Sequence, residues 1–369
     1  MSKRSFCLLF SLLFSTVFFC KAQSQNTDFP YELGLNIGKG FIISHSPTME
    51  FITHQHIEKA EIYLQKSTFG KNQWETQYGL PRMGASFTYF SLNNERHLGD
   101  AYALAPYLNF GLFESNRFRL GLRTGLGFGW IEKPFDVESN SKNTAIGSKL
   151  NLYFSIALRS ELKISKQVGL GLGLNFSHFS NTSFKKPNKG INIPSVETGL
   201  YYRFGKQEEI KSDKDFTGFK SQKAHWRITG GAGLNKTSIT DERSFLAVAL
   251  SVSREKRLGF KSSIGANLDF FQNPGRRKDL EADSIFIDKG FKNTQIGISF
   301  YHLLHIGKLG VIAQAGYYLK SEDESLGRIY HLAGGRVQLD RNWSIYFALK
   351  THFARAEYFL LGISYQMGS

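Results

Sequence analysis

From residue 30 onward, apolar side chains recur at every second position. In Phe118 to Trp130 the even positions are Phe118, Leu120, Leu122, Thr124, Leu126, Phe128 and Trp130. The odd positions are Arg119, Gly121, Arg123, Gly125, Gly127 and Gly129. Strand side chains point to the two faces in turn, so one face is oily and the other small or charged. Lys149 to Glu161 repeats the pattern, with Leu150, Leu152, Phe154, Ile156 and Leu158 on one face and Lys149, Asn151, Ser155, Arg159 and Glu161 on the other.

Alternation alone also fits a soluble sandwich. Length separates the two cases, because these segments run well past the five or six residues usual in soluble strands. Tilted strands of about 9 to 11 residues cross a bilayer. The oily faces end in aromatics such as Phe110, Trp130 and Tyr202, as an interfacial girdle would. With no water in the bilayer core, strands persist there only if the sheet closes. The pattern predicts an all-β, antiparallel outer-membrane β-barrel protein. Eight strands fall near 31–44, 57–68, 82–91, 102–113, 117–131, 148–162, 168–180 and 193–204. Eight more fall near 226–236, 243–253, 257–271, 293–306, 308–319, 328–339, 343–352 and 357–367. Residues 206–224 are charged, lack the period and read as a linker. Two tandem eight-stranded barrels fit, as does one sixteen-stranded barrel. The long linker and the glycine-rich inward faces, which suit tight barrels, favour two.

Composition changes the picture at the N-terminus. Lys3 and Arg4, the apolar run Cys7 to Phe19, and Cys20-Lys21-Ala22 predict a secretory signal peptide over residues 1–22. Bulky Phe19 before Cys20 argues against a lipid anchor. Cleavage would remove both cysteines, leaving no disulfide, thiol nucleophile or thiolate metal site. It would also lower the net charge from +15 to +12, since Lys3, Arg4 and Lys21 leave. An exported protein this basic suits an anionic surface such as lipid head groups. No RNP, zinc-finger or P-loop spacing is present, so nucleic acid is not an expected partner.

Candidate chemistry gathers in "LNFSHFSNTSFKKPNKGINIPS", Leu174 to Ser195. Along the seventh strand, Val168, Leu170, Leu172, Leu174, Phe176, His178 and Ser180 share the lipid parity. On the residues alone, the plainer account is a strand end in the head-group layer. The sharper one is a hydrolase, because His at i and Ser at i+2 can share a hydrogen bond that activates the hydroxyl. Asn192 has the same parity on the returning strand and could orient the imidazole. Glu197 has the opposite parity and should pair inward with Arg203 or a basic neighbour. Asn181 could stabilise an oxyanion through its amide, with the backbone N–H groups of Thr182 and Ser183. Lys185, Lys186 and Lys189 could meet lipid phosphates, or simply be solvated.

His178-Phe179-Ser180-Asn181, followed by Lys186-Pro187-Asn188-x-Gly190, resembles the signature of the PagL-like lipid A 3-O-deacylases, or acyloxyacyl hydrolases. Lys133-Pro134-Phe135-Asp136 and Asn143 to Ser148 also read like that family. The resemblance covers mainly residues 30–205. It implies an eight-stranded outer-membrane barrel, Ser180 as nucleophile, His178 as base and Asn181 in the oxyanion hole. It further implies release of an ester-linked acyl chain from lipid A or lipopolysaccharide, with no metal or other cofactor. One departure stands out: the family's orienting glutamate falls at Asn192. In the second half, residues 225–369, Thr351-His352-Phe353-Ala354-Arg355 is a faint echo with alanine in place of the serine and His352 at inward parity, so that half reads as non-catalytic. The alternative function is a non-enzymatic outer-membrane barrel: a scaffold, an adhesin or a channel. The acyl position cleaved and a homodimer are left open.

Overall fold

A computed structural model describes residues 27–44, 46–53, 55–211, 219, 223–236, 239, 243–282, 293–323, 325–353 and 355–368. The expected signal peptide, most of the linker and Ala354 lie outside the described residues.

The sixteen expected strands form two closed eight-stranded antiparallel barrels, which excludes a single sixteen-stranded sheet. The first barrel runs β1 (Tyr31–Phe41), β2 (His56–Lys66), β3 (Arg82–Ser91), β4 (Asp100–Glu114), β5 (Phe118–Ile131), β6 (Leu150–Lys163), β7 (Val168–Ser180) and β8 (Ile191–Phe204). β1 pairs with β8 to close it, from Tyr31 opposite Phe204 to Gly40 opposite Ser195. The second runs β9 (His225–Asn235), β10 (Phe245–Arg257), β11 (Ser262–Gln272), β12 (Thr294–Ile306), β13 (Leu309–Ser321), β14 (Ile329–Gln338), β15 (Trp343–His352) and β16 (Arg355–Met367), closed by β9 against β16. By compactness the chain forms two units. Residues 134–152 and 180–190 are counted with 215–369, and the remaining strands of the first barrel form the other unit.

Parity decides what each face carries. In β7, Leu170, Leu172 and Leu174 are exposed, while Gly169, Gly171, Gly173 and Asn175 are buried. The outward face of the first barrel is therefore a belt of large apolar side chains, fit to meet lipid. The inward face is an ion lattice. Lys59 binds Glu197 at 2.6 Å, and Arg159 reaches Glu197 at 3.3 Å. Arg82 meets Glu161 at 2.8 Å and Glu32 at 3.2 Å, and Arg203 meets the same two at 3.3 and 3.0 Å. Arg123 pairs with Glu61. Charges taken from water survive only when paired in this way. Glu197 points inward as its parity predicts, though its partners are Lys59 and Arg159 rather than Arg203.

Tyr63, Tyr107 and Tyr201 fill the space beside that lattice. Two of them lie flat over the glycine directly opposite on the neighbouring strand, where no other side chain would leave room. A Cβ on Gly34 would lie 2.2 Å from the Tyr63 ring, and one on Gly169 would lie 2.2 Å from Tyr201. Nearer the long-loop end, Phe90, Tyr153 and Phe179 pack together, with Tyr153 and Phe179 ring centroids 5.0 Å apart. The second barrel is also filled. Tyr318 stacks on Tyr330 at 4.5 Å. Lys350 binds Glu357 at 2.6 Å. Asp269 accepts hydrogen bonds from Ser251, Ser299, Gln314 and Tyr330.

Two local expectations need correcting. The eleventh strand begins at Ser262, not near 257, because β10 continues to Arg257 and a turn follows, with the Leu258 N–H donating to Ser262 O at 2.9 Å. The start of the linker is not free of structure: Glu208–Glu209 pairs with Thr27–Asp28. The long connection between β2 and β3 is folded on itself around a short helix, Gln73–Gln77. Thr68 donates to Pro81 O at 2.7 Å, and Tyr78 packs on Phe110.

Glu61→Ala would leave Arg123 buried without its carboxylate. The folded barrel should lose about 3–5 kcal/mol, read as a lower urea midpoint in the heat-modified gel mobility of the detergent-solubilised protein. An unchanged midpoint would contradict the lattice as a source of stability.

Candidate active site

The strand part of the site lies at the long-loop end of β7 and β8. His178 stands opposite Asn192 in the ladder, and His178 Nδ1 lies 2.6 Å from Asn192 Oδ1. An amide oxygen only accepts, so Nδ1 carries the proton and Nε2 is left with a lone pair. Both residues, and Ser180 two positions along the same strand, are half-buried on the lipid-facing parity. The opposite parity at this level is closed by Phe179, which is fully buried.

The loop part follows at once. After Ser180 the chain bends sharply: Thr182 and Ser183 have φ of +54° and +72°, unusual for non-glycine residues and costly for a β-branched one. The Asn188 carboxamide bridges the bend. Its Oδ1 accepts from the Asn181 N–H at 3.0 Å, and its Nδ2 donates to Ser180 Oγ at 3.0 Å. The Thr182 N–H also reaches Ser180 Oγ, at 3.3 Å. Two N–H donors thus converge on the hydroxyl oxygen, whose own hydrogen lies within reach of Asn188 Oδ1 at 3.3 Å.

Asn181 does not present its amide as expected. It is fully buried, and its Nδ2 donates to Ser148 Oγ at 3.0 Å and to Lys185 O at 2.9 Å. Beyond the end of β7 strand parity lapses, and this side chain ties loop to loop instead. The Ser183 N–H is likewise spent, on Asn181 Oδ1. Asn188 is the residue that strand reasoning misses, since a loop has no period to read. Its only signal was its place in the Lys186-Pro187-Asn188-x-Gly190 motif. Lys185 and Lys189 are exposed, and Lys186 is half-buried.

The other two motif stretches buttress this loop. Asn143 Oδ1 accepts from the Ala145 and Ile146 N–H groups at 3.0 and 3.3 Å. Ala145 O then takes the N–H groups of Lys189 and Gly190 at 2.9 and 3.0 Å, and Ile146 bridges Asn188. Asp136 accepts from Ser139 N–H and Oγ and from Glu138 N–H. The Ser139 N–H, foremost among these, holds its carboxyl below the usual range. Among the described residues, no group of three or more His, Cys, Asp or Glu side chains is arranged to hold a metal ion.

A sequence model of "Lipid A 3-O-deacylase (PagL)" matches residues 58–201, and one of "Acyloxyacyl hydrolase, C-terminal domain" matches residues 224–369. No curated protein matches the chain. Among solved structures, Neisserial surface protein A is 10% identical, over 49% of this chain and 100% of that one, with a TM-score of 0.32. The outer membrane enzyme PagL is 19% identical, over 46% and 97%, with a TM-score of 0.31. A mutant Rh. blastica porin is 12% identical, over 91% and 99%, with a TM-score of 0.20.

A Cβ on Gly147 would sit 2.6 Å from Lys186 O. Gly147→Val should therefore unseat the loop, so that trypsin nicks it after Lys185 while the heat-modified mobility of the barrel is kept. Resistance equal to wild type would contradict the buttress.

Proposed function

The chain belongs to the lipid A 3-O-deacylase (PagL) family, and from that premise we propose that it is an outer-membrane ester hydrolase that releases an ester-linked acyl chain from lipid A or a related glycolipid by Ser–His chemistry. In this reading residues 1–22 are a cleaved export signal, the barrel within residues 23–205 is catalytic, 206–224 link the halves, and 225–369 are non-catalytic.

The observation that carries the reading is the short His178–Asn192 hydrogen bond on the lipid-facing side of the strand that ends in Ser180. With the proton held on Nδ1 by the accepting Asn192 oxygen, Nε2 is the base. It takes the Ser180 proton as Oγ attacks the ester carbonyl carbon, and it returns that proton to the departing sugar oxygen. Water then hydrolyses the acyl-enzyme with the same imidazole as base, which restores the serine and frees the fatty acid. Negative charge develops on the carbonyl oxygen during attack. The donors nearest the nucleophile are Asn188 Nδ2 and the Thr182 N–H, and we assign the oxyanion to them rather than to Asn181. Lys185 and Lys189, exposed on the same loop, suit the phosphates of the glycolipid.

Asn192 in place of a carboxylate orients the ring without offering a full charge to the imidazolium, so the chemical step is expected to be slow. The channel alternative is disfavoured by the ion lattice that fills the first lumen.

Ser180→Ala should lower acyl release by at least about 10³-fold without loss of the folded barrel, and mass spectrometry of lipid A from cells with and without the protein should differ by one acyl chain. Identical lipid A in abundant expression would sink the enzyme. Asn192→Glu should raise kcat; no gain would remove residue 192 from the orienting role.

A further inference from the structure

In the second compact unit, which holds residues 180–190 together with 215–369, the loop after Ser180 meets the seam where β9 and β16 close. Pairing along that seam runs from Trp226 opposite Met367 to Ala232 opposite Leu361. Beyond it, backbone groups at the ends of β9 and β16 need other partners.

Ser183 supplies a partner on each side. Its carbonyl accepts from the Lys236 N–H at 3.1 Å, just after β9, and its hydroxyl donates to Ala356 O at 3.2 Å, at the second residue of β16. Ser183 is buried and left-handed, the second of the two strained residues that turn the chain away from Ser180. A conformation of this kind persists only where its surroundings over-determine it. The seam fixes one side of Ser183, and the Asn181 carboxamide fixes the other. Lys186, from the same loop, lines one recess with Arg355, Ala356 and His352.

We propose that the second barrel is a clamp for the nucleophile loop, with Ser183 as a positioning residue that holds the bend which presents Ser180 Oγ to Asn188 and the Thr182 N–H. The second half then contributes to catalysis without a catalytic group of its own. This rests on the enzyme reading above. A displacement of the bend is felt at the hydroxyl within three residues, and misplacement of a reacting atom by about 1 Å costs up to about 10²-fold in rate.

The test uses the full chain and lipid A in detergent micelles. Ser183→Gly keeps the left-handed backbone free of strain and the carbonyl that accepts from Lys236, and removes the hydroxymethyl group that reaches Ala356. We expect kcat to fall about tenfold or more, KM to stay within about twofold, and heat-modified mobility to be unchanged. Because Ser183 holds the bend that presents the Ser180 oxygen to Asn188, the double variant Ser183→Gly/Asn188→Ala should lose less than the product of the two single losses. Full activity in Ser183→Gly, strictly multiplicative losses, or loss of the folded form would each overturn the clamp; the last would make Ser183 an assembly residue. Wild type and Ser180→Ala run alongside. Activity surviving in Ser180→Ala, or absent from wild type, would instead overturn the enzyme reading.

Discussion

Every other feature depends on the need for each backbone N–H and C=O to find a partner where lipid offers none. That constraint closes both sheets, and closure assigns every second residue to lipid and every other residue to the lumen. Parity then does the chemical sorting. It sends Lys59, Arg123, Arg159 and their glutamates inward, where they can be afforded only as a lattice. It sends His178, Ser180 and Asn192 to the outward, lipid-facing parity.

The lattice and the site meet at one turn of one strand. Phe179, between His178 and Ser180, points the other way and packs on Tyr153 and Phe90 at the top of the lumen. A rigid interior therefore backs the half of the site built on strands. The other half, from Asn181 to Gly190, owes its shape to hydrogen bonds among three loop stretches and to the strained pair Thr182–Ser183. The histidine is held by the sheet, while the serine is held where sheet gives way to loop.

This division explains what the sequence could reveal. Period two fixes which residues face lipid, so the placement of His178, Asn192 and Glu197 is legible from parity alone. The partner of Glu197 is not: Lys59 lies 138 positions away, and nothing local announces it. Where β10 ends is hidden because Leu258 and Phe260 continue the apolar parity through a turn. The loop is least legible. Asn181 looks like an oxyanion donor from its neighbour Ser180, yet its amide is consumed by Ser148 and Lys185, whereas Asn188, eight residues on, touches the hydroxyl. The folded connection at 67–81 likewise depends on Thr68, Pro81 and Tyr78 meeting in space.

The central claim is that Ser180 is a nucleophile activated by His178 and approached from the lipid side. The most direct measurement is mass-spectrometric mapping of the adduct formed when the protein, reconstituted in lipid vesicles, is treated with a long-chain alkyl fluorophosphonate. The account predicts a single adduct on Ser180, formed faster than with a short water-soluble fluorophosphonate and lost in His178→Ala. An unmodified Ser180, or equal labelling when His178 is absent, would contradict it.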